Sequence, residues 1–175
     1  LALPAAASTL PRVDMKRGET AVAAGFFDFC LDRAIGDRAS LGLGYTWVGS
    51  HVAFARGVYR LAGEVDGPTF GLTFAAGTAP YPYWSDMSDT SLGDITTPAQ
   101  LFFQPAVVWA VPFWNFRFRA TLGPTIFSRV RVQQSFRYME NEIFPIVPDF
   151  ELAYNFGRGE ITLGGNAVVA ARLIF

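Results

Sequence analysis

The sequence predicts an all-β fold, an antiparallel up-and-down β-barrel, and three observations support it. Hydrophobic residues make up 51% of the 175 residues, yet no stretch of about 18 apolar residues is free of charged or turn residues. The 17 glycines and 11 prolines divide the chain into short segments. Within these segments apolar and polar side chains alternate, and a period of two is typical of β-strands.

The alternation predicts eight strands along the chain. It is clearest in 115–133, where even positions are mostly apolar and odd positions are polar or small. From residue 160 to Phe175 it continues in a single phase, which favours one long final strand. The eight predicted strands are 19–31, 39–48, 51–63, 69–78, 100–111, 115–133, 149–156 and 160–175.

Turn residues separate these strands, and two connections are long, about 79–99 and 134–146. Eight antiparallel strands close naturally into a narrow barrel that side chains fill. A ten-stranded barrel stays open as an alternative, with residues 9–17 as an additional N-terminal strand and 164–166 as a tight turn. Ten strands would place the short turns at the end of the barrel that holds the chain termini.

The chemistry of the polar face indicates which side of the barrel points outward. A soluble barrel needs an outer face rich in Lys and Glu, but here the polar face is mostly Gly, Ala, Thr and Ser with a few charges. Lys16 is the only lysine, so 13 of the 14 basic residues are arginine, which suits paired and desolvated sites. The sequence therefore predicts a transmembrane barrel whose apolar face points to lipid.

Charged residues of the polar face are expected to pair inside the barrel, because an Arg facing lipid at mid-depth costs roughly 2–4 kcal/mol. Antiparallel pairing of the last three strands gathers arginines and glutamates at one end, which predicts a salt-bridged plug there. The predicted interior charge network consists of Arg117, Arg119, Glu151, Glu160, Arg56, Arg60, Asp28 and Asp149.

Aromatic residues cluster near the ends of the predicted strands. Such rings favour the interface between membrane and water. The predicted interface aromatics are Tyr45, Trp47, Trp109, Trp114 and Tyr154.

The N-terminus carries a pattern typical of export. Residues 1–8, Leu-Ala-Leu-Pro-Ala-Ala-Ala-Ser, resemble the end of a secretory signal peptide, with Ala5 and Ala7 as the small residues before the cut. We therefore expect residues 1–18 to be a signal-peptide remnant and N-terminal extension, and residues 19–175 to form the barrel domain.

Several classes of function are disfavoured. The net charge of -1 argues against a nucleic-acid partner, and a single cysteine, Cys30, excludes a disulfide scaffold and a multi-cysteine metal site. No catalytic residue, metal site or cofactor is predicted. His51 beside Ser50 leaves a lipid-modifying enzyme at the barrel rim as a weak alternative, because adjacent side chains of a strand point apart.

The final segment, from Val168 to Phe175, alternates and ends in Phe, and it resembles the assembly signal of bacterial outer-membrane barrels. Segments 37–45 and 160–166 are similar to strands of small members of the OmpA or OmpX type. The resemblance covers about 19–175 and is one of pattern. It implies insertion into the outer membrane of the Gram-negative cell envelope by the barrel-assembly machinery, with membrane lipids around the barrel and Phe175 in the assembly signal.

These observations predict a non-enzymatic membrane protein with a structural or surface-interaction role, and an extracellular or envelope protein as its partner. A general pore is not expected, since a narrow barrel is filled by its side chains. One alternative is a barrel that binds or transports a lipid or another small apolar ligand, lined by Phe26, Phe102 and Val108. Another is a soluble calycin-like barrel with its apolar face inside.

Overall fold

The computed structural model describes residues 9–26, 28–47, 52–79, 95–133, 136–164 and 169–175. In these ranges ten antiparallel strands form one closed barrel, in which each strand pairs with its sequence neighbours and the first pairs with the last. No helix of the described residues is long and apolar enough to cross a membrane. The strands are β1 (Thr20–Gly25), β2 (Asp28–Ala34), β3 (Ala39–Thr46), β4 (Val52–Gly63), β5 (Thr69–Ala79), β6 (Ile95–Phe113), β7 (Phe116–Gln133), β8 (Phe136–Phe156), β9 (Gly159–Gly164) and β10 (Val169–Ile174).

The all-β antiparallel barrel is confirmed, but the prediction of eight strands is wrong. Predicted segment 19–31 contains β1 and the first part of β2, and predicted segment 160–175 contains β9 and β10. Residues 9–17 do not form the additional strand of the ten-stranded alternative. The predicted connection 134–146 is wrong as well, because β8 begins at Phe136.

The start of β1, the end of β10 and the short turns lie at one end of the barrel, called the near end here. Four connections lie there, at residues 35–38, 64–68, 114–115 and 157–158. The connections at the opposite, far end include 80–94 between β5 and β6, which lies outside the described residues. The ten-stranded alternative predicted this position of the short turns.

The apolar face of the strands points outward and the small or charged face points into the lumen. Along β2 the side chains alternate strictly between buried and exposed. Leu43 in β3 is 63% exposed, while Ser40 and Thr46 of the same strand are buried. The same alternation leaves Phe70, Leu72 and Phe74 of β5 exposed.

Strand β8 extends beyond its neighbour β9. The β8–β9 ladder ends where Glu151 faces Gly164, so within the described chain residues 136–150 of β8 pair only with β7. Pro145 and Pro148 lie in this part of β8, and Pro145 falls at a shift in register between β7 and β8. Proline lacks a backbone N–H, so in sheets it is found on edges and at bulges.

Candidate functional site

The N-terminal segment lies inside the barrel. All residues from 9 to 15, called the lumen segment here, are buried. Its backbone bonds to side chains of the wall: Arg56 donates to the Thr9 carbonyl at 2.6 Å and Arg172 donates to the Leu10 carbonyl at 3.1 Å. The Leu10 N–H donates to Glu151 at 3.1 Å. Wall side chains thus satisfy backbone groups that have no neighbouring strand.

Four side chains of the wall form the centre of the charged lumen. Arg119 donates to Glu151 at 2.7 Å and to Glu160 at 2.8 Å, and Arg172 donates to Glu160 at 2.9 Å. The strand register creates these contacts, since Arg119 faces Glu151 across β7–β8 and Arg172 faces Glu160 across β9–β10. Each of these side chains is at most 1% exposed, so the charges are almost completely removed from water.

The lumen segment adds charges of both signs to this centre. Asp14 lies 3.5 Å from Arg119 and also contacts Arg117. Arg12 bonds to Glu19 at 2.8 Å and lies 3.3 Å from Asp14. The cluster therefore contains four arginines and four carboxylates, so its charges balance. Paired charges with several hydrogen bonds are what a buried ionic cluster requires. The eight members are Arg12, Arg117, Arg119, Arg172, Asp14, Glu19, Glu151 and Glu160.

A second ion pair lies towards the far end. The Arg56 guanidinium binds both carboxylate oxygens of Asp32, with its Nε 2.7 Å from Oδ1. Gly42 of β3 lies between the two strands that carry them. A Cβ at Gly42 would overlap the Asp32 carboxylate, so the pair depends on glycine at this position.

The structure places the predicted interior residues as follows. Arg117, Arg119, Glu151 and Glu160 come together, and Arg56 joins Asp32 instead. Arg60 lies near the rim of the near end and donates to the Asp37 carbonyl. Asp149 accepts a bond from the Phe150 N–H at 2.9 Å, and Asp28 contacts the Cys30 thiol at 3.7 Å.

A small cavity remains beside the lumen segment. One carboxylate oxygen of Asp149 is buried there without a hydrogen-bond partner in the described part of the chain. The cavity is lined by Leu10, Pro11, Arg56, Thr73, Ala75, Gln104, Ala106, Thr121 and Asp149.

The predicted interface aromatics lie at both ends of the barrel. Tyr45 and Trp47 lie side by side towards the far end, with ring centroids 6.5 Å apart. At the near end Tyr154 packs on Phe116 at 5.1 Å, and Trp114 is 96% exposed in the β6–β7 turn. Trp109 is half-buried on β6, where it faces Phe70 and Ala120.

The C-terminal residue closes the barrel seam. Phe175 donates its N–H to the Thr20 carbonyl at 2.8 Å and accepts from the Thr20 N–H at 3.0 Å, while its ring is exposed. Sequence reasoning missed Arg12 and Asp14, because residues 1–18 were assigned to an extension outside the barrel. A charged pair two residues apart, set between Leu10, Val13 and Met15, was the available signal.

Other residues singled out by the sequence have different positions. Phe102 and Val108 are buried in the lumen, whereas Phe26 is exposed. His51 lies outside the described residues. In the part of the chain that the structure describes, no group of three or more potential metal ligands is close enough to hold an ion. Comparisons with protein-family models, with curated proteins and with solved structures found no match to this chain.

Proposed function

We propose that this chain is an outer-membrane β-barrel with a structural or surface-interaction role, and that it does not act as a general pore. The observation that carries the proposal is the distribution of side chains between the two faces. Leucine and aromatic rings cover the outside of the wall, while the ionic cluster is enclosed in the lumen. This arrangement suits lipid outside the barrel and is the reverse of a soluble calycin-like barrel.

Strand length and aromatic position support the membrane assignment. The five strands from β4 to β8 have 11 to 21 residues and so reach the 9–11 residues that a tilted strand needs to cross the hydrocarbon layer, whereas β1, β2, β3, β9 and β10 have 6 to 8. Exposed rings lie near both ends of the barrel, among them Tyr45 and Trp47 at the far end and Trp114 and Tyr154 at the near end. Two such belts are typical of transmembrane barrels.

The contents of the lumen support a closed barrel. The lumen segment and the ionic cluster occupy the near half, and an apolar cluster that includes Phe54 and Phe102 lies beyond them. Phe102 thus packs against other lumen side chains, which disfavours an open apolar pocket for a lipid. We therefore propose that the side chains of the interior stabilise the barrel and that the outer surface of the far end binds a partner.

The extended β8 supplies an interaction surface. A free strand edge exposes unpaired backbone groups, which can bind another extended chain. Unpaired backbone is not tolerated against lipid tails, so we place the far-end part of β8, around Ile143, outside the hydrocarbon layer. Ile143 in this region is 72% exposed, and a partner of the cell envelope or the extracellular space is expected to bind there.

The test uses one outward substitution and a matched control. Leu43→Arg places a charge in the middle of β3, where lipid contact would lower the free energy of unfolding by roughly 2–4 kcal/mol. Ile35→Arg places the same charge at an exposed position in a near-end turn, where a cost of about 1 kcal/mol or less is expected. Each chain is refolded in micelles and in liposomes and run unboiled on a gel. The fraction of protein in the faster-migrating band measures how much has folded.

The proposal requires heat-modifiable migration of the parent chain, its loss or reduction in Leu43→Arg, and normal behaviour of Ile35→Arg. Planar bilayers with the parent chain are expected to show no stable conductance steps. A chain that folds as a monomer in plain buffer, or that tolerates both arginines equally, contradicts the membrane assignment. Regular conductance steps of one size contradict the closed lumen.

A further inference from the structure

Asp149 is a lumen carboxylate without a cationic partner. It lies on the inward face of β8, two residues before the buried Glu151, while Phe150 between them is exposed. Its Oδ1 accepts from the Phe150 N–H at 2.9 Å, whereas its Oδ2 is buried without a hydrogen-bond partner. Within the described chain Asp149 forms no ion pair, although Glu151 binds Arg119. A carboxylate removed from water needs a counter-charge.

The cavity beside the lumen segment has Asp149 in its wall. It is lined by residues of β4 to β8 and by Leu10 and Pro11 of the lumen segment. Ala75 and Ala106 leave space there because their side chains end at Cβ. The centre of a water-sized particle has about 20 Å³ available, which is room for one water molecule or one ion of similar size.

The groups around this cavity are mainly hydrogen-bond acceptors. Thr73 donates its hydroxyl hydrogen to a backbone carbonyl at 3.1 Å, so its oxygen is left to accept. Pro11 has no N–H to donate. Arg56 also lines the cavity, but each of its three side-chain nitrogens already donates to Asp32 or to the Thr9 carbonyl. The lining therefore supplies oxygens but no cation that pairs with Asp149.

Two more polar side chains complete the oxygen lining. Thr121 faces Asp149 directly across β7–β8, and facing residues have Cβ atoms about 4.5–5.5 Å apart. Gln104 of β6 brings an amide oxygen. One carboxylate among neutral oxygens balances a single positive charge. A divalent site is disfavoured, because no group of three or more potential metal ligands occurs in the described part of the chain.

We propose that this cavity binds one alkali cation, sodium or potassium, through the Asp149 carboxylate and the oxygens of Thr73, Thr121 and Gln104. The cation neutralises Asp149 and connects β8 to β5, β6 and β7 across the lumen. A water molecule would satisfy Oδ2 but leave its charge unbalanced. The inference concerns the interior of the closed barrel and does not depend on the membrane assignment.

The dependence of stability on potassium tests the site. The parent chain is refolded into micelles, and its urea unfolding is followed at neutral pH while potassium chloride replaces choline chloride at constant ionic strength. Choline is too large for a cavity that holds one water-sized ion. A ligand that binds only the folded chain stabilises it, so about 150 mM potassium is expected to lower the unfolding equilibrium constant about tenfold.

The main variant removes the charge of the site and keeps its shape. In Asp149→Asn the effect of potassium should fall below about twofold. Asp66→Asn serves as control, because its exposed carboxylate pairs with Lys16 at 3.3 Å outside the cavity, and it should keep the full effect. A carboxylate with only a structural role would change stability equally in potassium and in choline.

A second variant decides the question if Asp149→Asn does not fold. Thr121→Val removes one proposed ligand with little change in shape, and it should raise the potassium concentration at half effect at least about threefold. Thr69→Val is the matched control, since its buried hydroxyl lies outside the cavity and has no hydrogen-bond partner in the described chain. Its potassium dependence should equal that of the parent chain.

Equal stability of the parent chain in potassium, sodium and choline would overturn the proposal and leave water or a proton beside Asp149. A full potassium effect in Asp149→Asn would place the ion elsewhere and would overturn it as well. If the chain folds in plain buffer instead of micelles, the same titration is run there. Failure of the membrane assignment therefore does not decide the outcome for the cation site.

Discussion

At the scale of single residues, the charged lumen depends on the alternation of inward and outward side chains and on enough room for the inward ones. The position of Arg119 opposite Glu151 could be predicted, because antiparallel neighbours with polar inward faces leave few alternatives. Asp32 was not predicted as a partner of Arg56. Its pairing depends on the register of β2, β3 and β4, which cannot be read from the sequence of 19–31. It also depends on Gly42, which lies between the two side chains.

Gly42→Ala tests this dependence on space. The new Cβ would overlap the Asp32 carboxylate and lie 3.0 Å from the Leu31 carbonyl oxygen, so Asp32 has to leave its position beside Arg56. We expect the free energy of unfolding to fall by about 1–3 kcal/mol, as overpacked interiors show. Urea unfolding in micelles, followed by tryptophan fluorescence, measures the change.

The control is Gly36→Ala in the near-end turn, where no atom lies within 4 Å of the added Cβ. Its unfolding midpoint should stay close to that of the parent chain. Equal midpoints for both variants would show that Gly42 does not protect the Asp32–Arg56 pair.

At the scale of elements, the parity of paired residues explains why the strand count was wrong. Facing residues of an antiparallel hairpin lie on the same side of the sheet. Leu163 pairs with Val169, whose numbers have an even sum, so the alternation keeps its phase across the turn and imitates one strand. Ala23 pairs with Cys30, whose sum is odd, so the phase inverts and 19–31 presents apolar residues on both faces.

A second difference between prediction and structure, also at the scale of elements, concerns the prolines of β8. Pro145 lies within the predicted connection 134–146 and Pro148 just after it, and proline is depleted in strands. In the structure they lie in the part of β8 that pairs only with β7 among the described residues, so a missing N–H costs no ladder bond to β9. Proline at these two positions hinders strand pairing there, whereas residues 136–144 contain no proline and keep their N–H groups for the proposed partner.

Replacing both prolines tests this protective role. In a Pro145→Thr, Pro148→Thr double variant, two N–H groups return to the part of β8 that lacks a β9 neighbour in the described chain, and we expect pairing of barrels through this part of β8. Light scattering in detergent should show a fraction of dimer at least about twice that of the parent chain. Pro68→Thr, in the β4–β5 turn at the near end, is the control and should leave the mass unchanged. A monomeric double variant with intact heat-modifiable migration would show that these prolines do not control association.

At the scale of the whole molecule, the even number of strands determines which connections share an end. Ten strands put the start of β1, the end of β10 and the turns 35–38, 64–68, 114–115 and 157–158 at the near end. The orientation of the proposed membrane barrel could not be derived from alternation, since a period of two is identical whichever end of the barrel faces outward. The resemblance to outer-membrane barrels implies that the near end faces the periplasm.

Cysteine labelling in whole cells tests this orientation. Ile143→Cys lies on the exposed extension of β8, and Gly67→Cys lies in a near-end turn where the added side chain meets only ordinary contacts. The native Cys30 is buried, so the parent chain should remain unlabelled by a membrane-impermeant maleimide. Because the far end is expected at the cell surface, Ile143→Cys should react in intact cells, and Gly67→Cys only after the outer membrane is permeabilised. The opposite pattern would place the near end outside, move the β8 edge to the periplasm, and direct the search for a partner to the envelope interior.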